Sequence, residues 1–230
     1  MLQHYPYTEL GYANFDWLEA RHHFSFGQYV NPNKPHFGDL LVINDDIIQP
    51  QTGFAPHGHQ DMEIITYVRR GAITHEDSRG NKGRTVAGDV QVMSAGTGIQ
   101  HSEYNFEDEA TNLFQIWITP DENGLTPCWD SAEFPHQPIT DSLPLLVSGD
   151  GQAPLQINNK AAKIYAGTLQ DGQELTHEIS GKAYILVSEG QLNIAGIDAV
   201  RGDAVTVEQQ ATVALTASGD SEVLIIEVAA

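Results

Sequence analysis

Helical periodicity is nearly absent from this chain, and short apolar or alternating segments recur instead from about Phe37 to the C-terminus. Gly, Asp and Asn separate these segments, which is typical of strands joined by turns. The segments with this character are residues 40–43, 62–69, 72–76, 88–93, 101–105, 113–118, 163–168, 182–188, 191–194, 204–207 and 222–228. Many short strands separated by turns predict an all-β barrel or sandwich.

One β unit occurs twice in the sequence. The first copy consists of residues 67–71 and, after a gap, residues 85–92. The corresponding segments of the second copy are residues 186–190 and 199–206. In both copies a glycine ends a strand where a positive φ is expected, and a Gly-Asp pair makes the next turn. Alternation then directs four valines to the core, namely Val90, Val92, Val205 and Val207. The repeat predicts two domains of similar build.

Residues 121–144 interrupt this pattern with four prolines, Pro127, Pro135, Pro138 and Pro144. A proline-rich stretch between two similar halves is typical of a connector. We therefore predict an N-terminal domain at residues 1–140 and a C-terminal domain at residues 141–230.

The formal net charge is −20, from 31 acidic and 11 basic residues. Such a field repels phosphate backbones and anionic lipid surfaces, so direct binding to nucleic acid or membrane is not expected. No segment approaches the roughly 20 apolar residues of a membrane-spanning helix, and the N-terminus does not resemble a signal peptide. The single cysteine, Cys128, allows no intramolecular disulfide. These features predict a cytoplasmic protein.

Two motifs place pairs of metal-binding side chains on extended segments. His57 and His59 are two residues apart, as are His101 and Glu103, so each pair lies on one face of its strand. Two such strands side by side would present three nitrogens and a carboxylate to one point. These donors suit Fe(II), Mn(II), Ni(II), Cu(II) or Zn(II). Because neither motif contains a cysteine, a structural zinc site is disfavoured.

The two motifs resemble those of the cupin superfamily and, more closely, those of the pirin family. The resemblance covers most of residues 14–120, while the C-terminal half matches by pattern more than by motif. Its specific features are residues 21–26, 57–59, 61–67, 75–77 and 93–104. The resemblance implies an all-β bicupin, with two stacked cupin (jelly-roll) β-barrels and a metal ion in the first.

The resemblance also implies the ligand set. The residues of this chain that match the metal ligands of pirin-like proteins are His57, His59, His101 and Glu103. They would hold one divalent transition metal ion, with Fe2+ as the leading expectation. A generic cupin would instead use the Glu four residues past the second histidine, here Glu63. Strand parity does not decide between the two acids, since both have odd numbers. The likeness to pirin favours Glu103, and Glu63 then orients a ligand or braces the barrel mouth.

The resemblance implies two alternative functions. Some family members resemble quercetinases, which open the flavonol ring with dioxygen and release carbon monoxide. In that role this chain would be a quercetin 2,3-dioxygenase acting on a small aromatic substrate such as a flavonol, with Glu103 as metal ligand and base together. The alternative is a non-enzymatic regulator that binds protein partners and uses its metal as a redox-sensing element.

The remaining candidates have simpler interpretations. Aromatic and apolar residues near the motifs, namely Phe54, Met62, Phe114 and Trp117, are expected in the core more than in a substrate pocket. The C-terminal half retains only His177 near the equivalent place, so a second metal site is not expected. The other histidines have no evident same-face partner and are assigned structural roles, although His22 and His23 could approach the pocket. These are His4, His22, His23, His36, His75 and His136.

Overall fold

The computed structural model of this chain describes residues 1–134 and 137–230, so the predictions that involve Pro135 and His136 lie outside the described residues. The strands are β1 (Leu2–Tyr5), β2 (Gly11–Asn14), β3 (Leu18–His22), β4 (Leu40–Ile48), β5 (Thr52–His59), β6 (Glu63–Arg70), β7 (Ala72–Asp77), β8 (Lys82–Val86), β9 (Val90–Ser94), β10 (Ile99–Asn105), β11 (Thr111–Ile118), β12 (Cys128–Ala132), β13 (Leu145–Ser148), β14 (Leu155–Gln156), β15 (Lys163–Leu169), β16 (Glu174–Glu178), β17 (Lys182–Glu189), β18 (Gln191–Ile194), β19 (Ile197–Val200), β20 (Ala204–Val207), β21 (Thr212–Ala217) and β22 (Ser221–Val228).

The predicted strand content is confirmed, because every segment predicted as a strand overlaps an observed one. The helical element in the described part of the chain is a short 3-10 turn at Tyr7–Glu9. No helix among the described residues is long and apolar enough to cross a membrane.

The chain forms two compact units. The N-terminal unit comprises residues 11–134 and 155–159. Its larger sheet has the strand order β12-β9-β6-β11-β4-β3-β2, and its smaller sheet has the order β5-β10-β7-β8. Side chains from the two sheets meet inside the unit, as in the hydrogen bond from Thr66 of β6 to Glu103 of β10. The unit is therefore a two-sheet sandwich of the jelly-roll type rather than a closed barrel.

The C-terminal unit comprises residues 1–10, 137–154 and 160–230. One sheet contains the order β1-β20-β17-β22-β15-β13, and the other has the order β16-β21-β18-β19. A continuous apolar cluster fills its interior, because residues that alternate along the strands point inward from both sheets. Its members include Leu175, Ile185, Val187, Leu192, Val213, Leu215 and Ile225.

The two units repeat one strand order, which confirms the predicted internal repeat. Strands β9, β6, β11 and β4 of the N-terminal unit follow one another as β20, β17, β22 and β15 do in the C-terminal unit. Gly71 and Gly190 end equivalent strands with φ values of 76° and 80°. The glycines of the two Gly-Asp turns, Gly88 and Gly202, have φ values of 89° and 85°. The four valines predicted to face the core are all buried.

The units differ from the division predicted at residues 1–140 and 141–230. Residues 1–10 belong to the C-terminal unit because β1 pairs antiparallel with β20, from Leu2 opposite Val207 to Tyr5 opposite Ala204. Residues 155–159 belong to the N-terminal unit. Both segments are distant in sequence from the rest of the unit they join. A single division point in the sequence therefore cannot describe the two units.

The predicted connector also contains a strand. Within residues 121–144, Cys128–Ala132 forms β12 and pairs with β9 at the edge of the larger N-terminal sheet. This strand is largely exposed, so it lacks the alternation of apolar residues from which the other strands were predicted.

Candidate metal centre and cavity

The HxH and HxE motifs lie on neighbouring strands, as predicted. Strand β10 pairs antiparallel with β5, and His101 lies directly opposite His57. A register shift follows between His101 and Glu103, so that Glu103 lies opposite Phe54. A bulge of this kind re-aims side chains along a strand. Both motifs consequently face the interior of the N-terminal unit.

Three imidazoles converge at this point. The ligand atoms of His57, His59 and His101 all lie within 4.8 Å of one another. The ring centroids are 4.5 Å apart for His57 and His101, 4.9 Å for His57 and His59, and 5.0 Å for His59 and His101. This spacing allows one ion to contact all three rings, since metal–nitrogen bonds are about 2.0–2.1 Å long.

The nitrogens are in a state that suits a metal. The Nδ1 of His57 is 2.8 Å from the carbonyl oxygen of Ala55, which can only accept, so Nδ1 carries a proton and Nε2 is the nitrogen of this ring that can bind a metal ion. The Nε2 of His101 is buried and has no hydrogen-bond partner. Such a buried nitrogen is costly unless something binds it. The three-histidine group therefore fits a transition metal ion.

Burial keeps two of these rings neutral. Burial, followed by the neighbouring imidazoles of His101 and His57, lowers the pKa of His59 to about 4. Burial, followed by His57 and His75, lowers the pKa of His101 to about 3. Both rings are neutral at pH 7, and a neutral ring is the form that binds metal.

Glu103 is held by three donors from the larger sheet. The Nε2 of Gln115 donates to Oε2 at 2.6 Å, the Nε2 of Gln91 donates to Oε1 at 2.7 Å, and the Thr66 hydroxyl donates to Oε1 at 2.8 Å. Glu103 is 2% exposed and lines the same cavity as the histidines. Among the described residues the group within 4.8 Å contains the three histidines without Glu103, so its role as fourth ligand stays a prediction.

The competing acid, Glu63, has different contacts. It lies at the start of β6, is 1% exposed, and is absent from the residues that line the cavity. Its Oε2 accepts a hydrogen bond from the Ser94 hydroxyl at 2.6 Å, and its Oε1 accepts one from the Asn158 amide at 3.2 Å. These bonds give Glu63 a role in joining segments of the unit and favour Glu103 as the acid that serves the cavity.

A cavity of about 770 Å³ extends from the histidines to the surface of the N-terminal unit. This volume lies within the range of about 300–1,000 Å³ that is usual for small-molecule sites. Trp117 contacts His59 edge-on, with ring centroids 4.9 Å apart. Trp17 and Phe54 form another edge-on pair at 5.1 Å. The aromatic lining residues are Tyr12, Phe15, Trp17, Phe26, Tyr29, Phe54 and Trp117.

Some interpretations of individual residues need correction. Phe54 and Trp117 pack against buried clusters, as predicted, but they also line the cavity, which was not expected. Phe114 is fully buried, and Met62 packs against a buried cluster around Ile64. His22 lines the cavity and its Nδ1 lies 2.8 Å from the Oδ1 of Asn44. The sequence reasoning missed the wall formed by residues 12–29. Its unusual density of aromatic side chains was the available signal.

Several other histidines, namely His4, His23, His36 and His177, lie away from the three-histidine group. His23 is buried and absent from the cavity lining. His4 contacts Asp203 at 3.0 Å, and the ring of His36 contacts the carbonyl oxygen of Gly38 at 2.9 Å. In the C-terminal unit the Nε2 of His177 lies 2.8 Å from the Oε1 of Glu227. These contacts are structural ones within each unit.

A second buried acid lines the cavity on β4. Asp46 is 2% exposed, and its Oδ1 has no hydrogen-bond partner. Burial, followed by the nearby carboxylates of Asp45 and Glu103, raises the pKa of Asp46 well above its ordinary value. The cavity floor therefore carries a neutral Asp46 beside Glu103 at pH values below this raised pKa.

Replacing Asp46 with asparagine is expected to stabilise the metal-free protein at pH 8 and to change its stability little near pH 4. Because the folded-state pKa is raised, ionisation of Asp46 costs stability as the pH rises above its unfolded-state pKa. Asparagine removes this cost. Melting temperatures measured across this range test the prediction, and about 2–4 °C corresponds to 1 kcal/mol for a chain of this size. A gap between the proteins that stays constant with pH would contradict it.

Models of known families match both halves of the chain. The family described as Pirin matches residues 6–118. The family described as Quercetinase C-terminal cupin domain matches residues 145–228. The first match contains the three histidines and Glu103, and the second covers most of the C-terminal unit.

Individual proteins match over nearly the whole chain. A pirin-like protein of Caulobacter vibrioides is 45% identical over 234 residues, which is 100% of both chains. A quercetin 2,3-dioxygenase of Escherichia coli is 39% identical over 223 residues, covering 96% of this chain and 95% of that protein. A crystal structure of the E. coli bacterial pirin YhhW in complex with nickel(II) matches with a TM-score of 0.93 and 38% identity, covering 100% of this chain and 99% of that one.

Proposed function

Because this chain belongs to the pirin family of bicupins, we propose that it binds one divalent metal ion through His57, His59, His101 and Glu103 and opens the ring of a flavonol. The reaction consumes dioxygen and releases carbon monoxide from the flavonol ring. The observation that carries the proposal is the convergence of three imidazoles and a carboxylate on one aromatic-walled cavity. Relatives named as quercetin 2,3-dioxygenases support the same reaction class.

Glu103 is the residue proposed to move the proton. A bound divalent ion supplies Lewis acidity that favours the anionic form of the flavonol 3-hydroxyl. Glu103 accepts the proton of that hydroxyl, and the donors Gln91, Gln115 and Thr66 hold the carboxylate in place for the transfer. The resulting flavonolate is richer in electrons and reacts more readily with dioxygen.

The rest of the cavity binds and orients the substrate. A flavonol is planar and aromatic, so the rings of Trp17, Phe54 and Trp117 provide matching apolar surface. Polar groups at the floor, including Asn44 and Asp46, can bond the hydroxyls of the substrate. Enclosure by these walls also excludes water, which strengthens the electrostatic effect of the site.

Anaerobic titration of the metal-loaded protein with quercetin tests the binding step. We expect a shift of the flavonol absorption band, because deprotonation of the 3-hydroxyl extends the conjugated anion. The metal-free protein should leave the band in place. A flavone that lacks the 3-hydroxyl should give no such shift with either form.

Absence of a metal-dependent shift with quercetin would reject the proposal at this step. A shift of equal size in the metal-free protein would show that the cavity binds flavonols without help from the histidines. Chelator treatment followed by reloading with Ni2+ should restore the shift, which controls for damage to the protein during metal removal.

A further inference from the structure

The segment His75–Asp77 was part of the pirin-like pattern, but the reaction proposed above gives it no role. Strand β7 lies beside β10, with His75 opposite Glu103 and Asp77 opposite His101. His75 and Asp77 are two residues apart, so both face the interior together with the HxE motif. The prediction that His75 has no same-face partner was therefore wrong, since Asp77 and His101 are such partners.

The contact with Asp77 shows which ring nitrogen of His75 carries a proton. Its Oδ2 is 3.0 Å from the Nε2 of His75, and both side chains are buried. Burial alone would raise the pKa of Asp77, but hydrogen bonds from His75, Asn81 and Arg79 lower it below its ordinary value. The Asp77 carboxylate accepts hydrogen bonds from the backbone N–H groups of Arg79 and Asn81 and from the Asn81 side-chain amide, so it is the acceptor in its contact with His75 and the Nε2 of His75 carries a proton.

A second contact fixes the plane of the His75 ring. The indole of Trp129 on β12 stacks on His75, with ring centroids 5.0 Å apart and an angle of 10° between the planes. The indole also packs closely against Gly83 of β8, where an added Cβ would lie 2.2 Å from the ring. This close packing leaves the His75 ring little freedom to rotate or tilt.

The Nδ1 of His75 reaches the proposed ligand. It lies 3.4 Å from the Nδ1 of His101, while the Nε2 of His101 faces no hydrogen-bond partner. In the tautomer of His75 that carries its proton on Nε2, Nδ1 is an acceptor, and this arrangement pairs it with a donating Nδ1 of His101. A donating Nδ1 leaves the lone pair of His101 on Nε2.

We infer that Asp77 and His75 are positioning residues that fix the tautomer and orientation of His101 so that its Nε2 points to the three-histidine centre. The inference rests on the proposed metal site. Hydrogen bonds from the second ring nitrogen of a ligating histidine commonly have this effect, and their loss costs about 10- to 100-fold in metal affinity.

The test compares His75→Phe with His75→Asn. Phenylalanine keeps a ring beside Trp129 but cannot accept from His101, whereas the asparagine amide oxygen can take the place of Nδ1. The tautomer of His101 is read by ¹⁵N NMR of the metal-free protein, and the affinity for Ni2+ is read by competition with a chelator. We expect the Nδ1–H tautomer in the wild type and in His75→Asn, with mixed tautomers in His75→Phe.

Ni2+ affinity should follow the tautomer, with a loss of about 10- to 100-fold in His75→Phe and little change in His75→Asn. Melting temperatures of the metal-free variants separate this effect from a general loss of stability. An unchanged tautomer and an unchanged Ni2+ affinity in His75→Phe would overturn the inference while leaving the metal site intact. Failure of the wild type itself to bind Ni2+ would overturn the inference and the proposed metal site together.

Discussion

Replacing Glu103 with glutamine is expected to lower the rate of flavonol ring opening by about 10²- to 10⁴-fold, the usual contribution of a general base. Glutamine has nearly the same shape and can remain bonded to Thr66, but it cannot take the proton of the 3-hydroxyl. The three histidines are unchanged, so the variant should retain metal, although with lower affinity. Oxygen uptake and metal content measured on the same samples test both parts of this prediction.

Glu63→Gln is the matched control. Glu63 is as deeply buried as Glu103, but its partners are Ser94 and Asn158 and it does not line the cavity. We expect this variant to keep its metal and most of its oxygen uptake. The reverse pattern, in which Glu63→Gln loses all metal while Glu103→Gln keeps metal and activity, would show that the generic cupin ligand is the correct one.

His57→Ala is expected to abolish stoichiometric metal binding. Removing one of three imidazoles takes away a direct ligand, so the loss should exceed the roughly 10- to 100-fold that outer-shell partners contribute. The ring of His57 is only half buried, which limits the effect of the substitution on folding. Metal content of the purified protein, measured by mass spectrometry, and the quercetin band shift should both disappear.

The control for His57→Ala is a histidine of the other unit. His177 bonds Glu227 in the C-terminal sandwich, and His177→Ala is expected to leave about one metal ion per chain. Loss of metal from His177→Ala, or its retention by His57→Ala, would move the site away from the three-histidine group.

The interiors of the two units explain why the proposed site lies in the first. Strand β21 pairs with β16 in the C-terminal unit as β10 pairs with β5 in the N-terminal unit. Val213 lies opposite His177, and Leu215 is two residues further along β21. Both side chains belong to the apolar cluster. The same face of β10 carries His101 and Glu103. Apolar side chains fill the second sandwich, whereas polar donors and a cavity occupy part of the first.

The sequence predicted those features that depend on local geometry. A two-residue spacing places His57 and His59 on one face of any strand, and a glycine with positive φ is required at tight turns such as Gly71 and Gly190. The side-by-side placement of the HxH and HxE strands followed from the resemblance to the cupin motifs.

The features that the sequence did not predict depend on contacts between distant segments. The pairing of β1 with β20, the edge strand β12 and the stacking of Trp129 on His75 join residues that are far apart in the chain. The aromatic wall from residues 12–29 is equally non-local, because its side chains reach the histidines only after the larger sheet has formed. Periodicity carries no information about such contacts.

The measurement that tests the central claim most directly is oxygen uptake and carbon monoxide release on adding quercetin to untagged protein of known metal content. The protein is reloaded in turn with Fe(II), Mn(II), Ni(II), Cu(II) and Zn(II). We predict about one bound ion per chain and, with at least one metal, oxygen uptake and carbon monoxide release that match the flavonol consumed. Bound metal without uptake in any form would contradict the dioxygenase and favour the redox-sensing regulator.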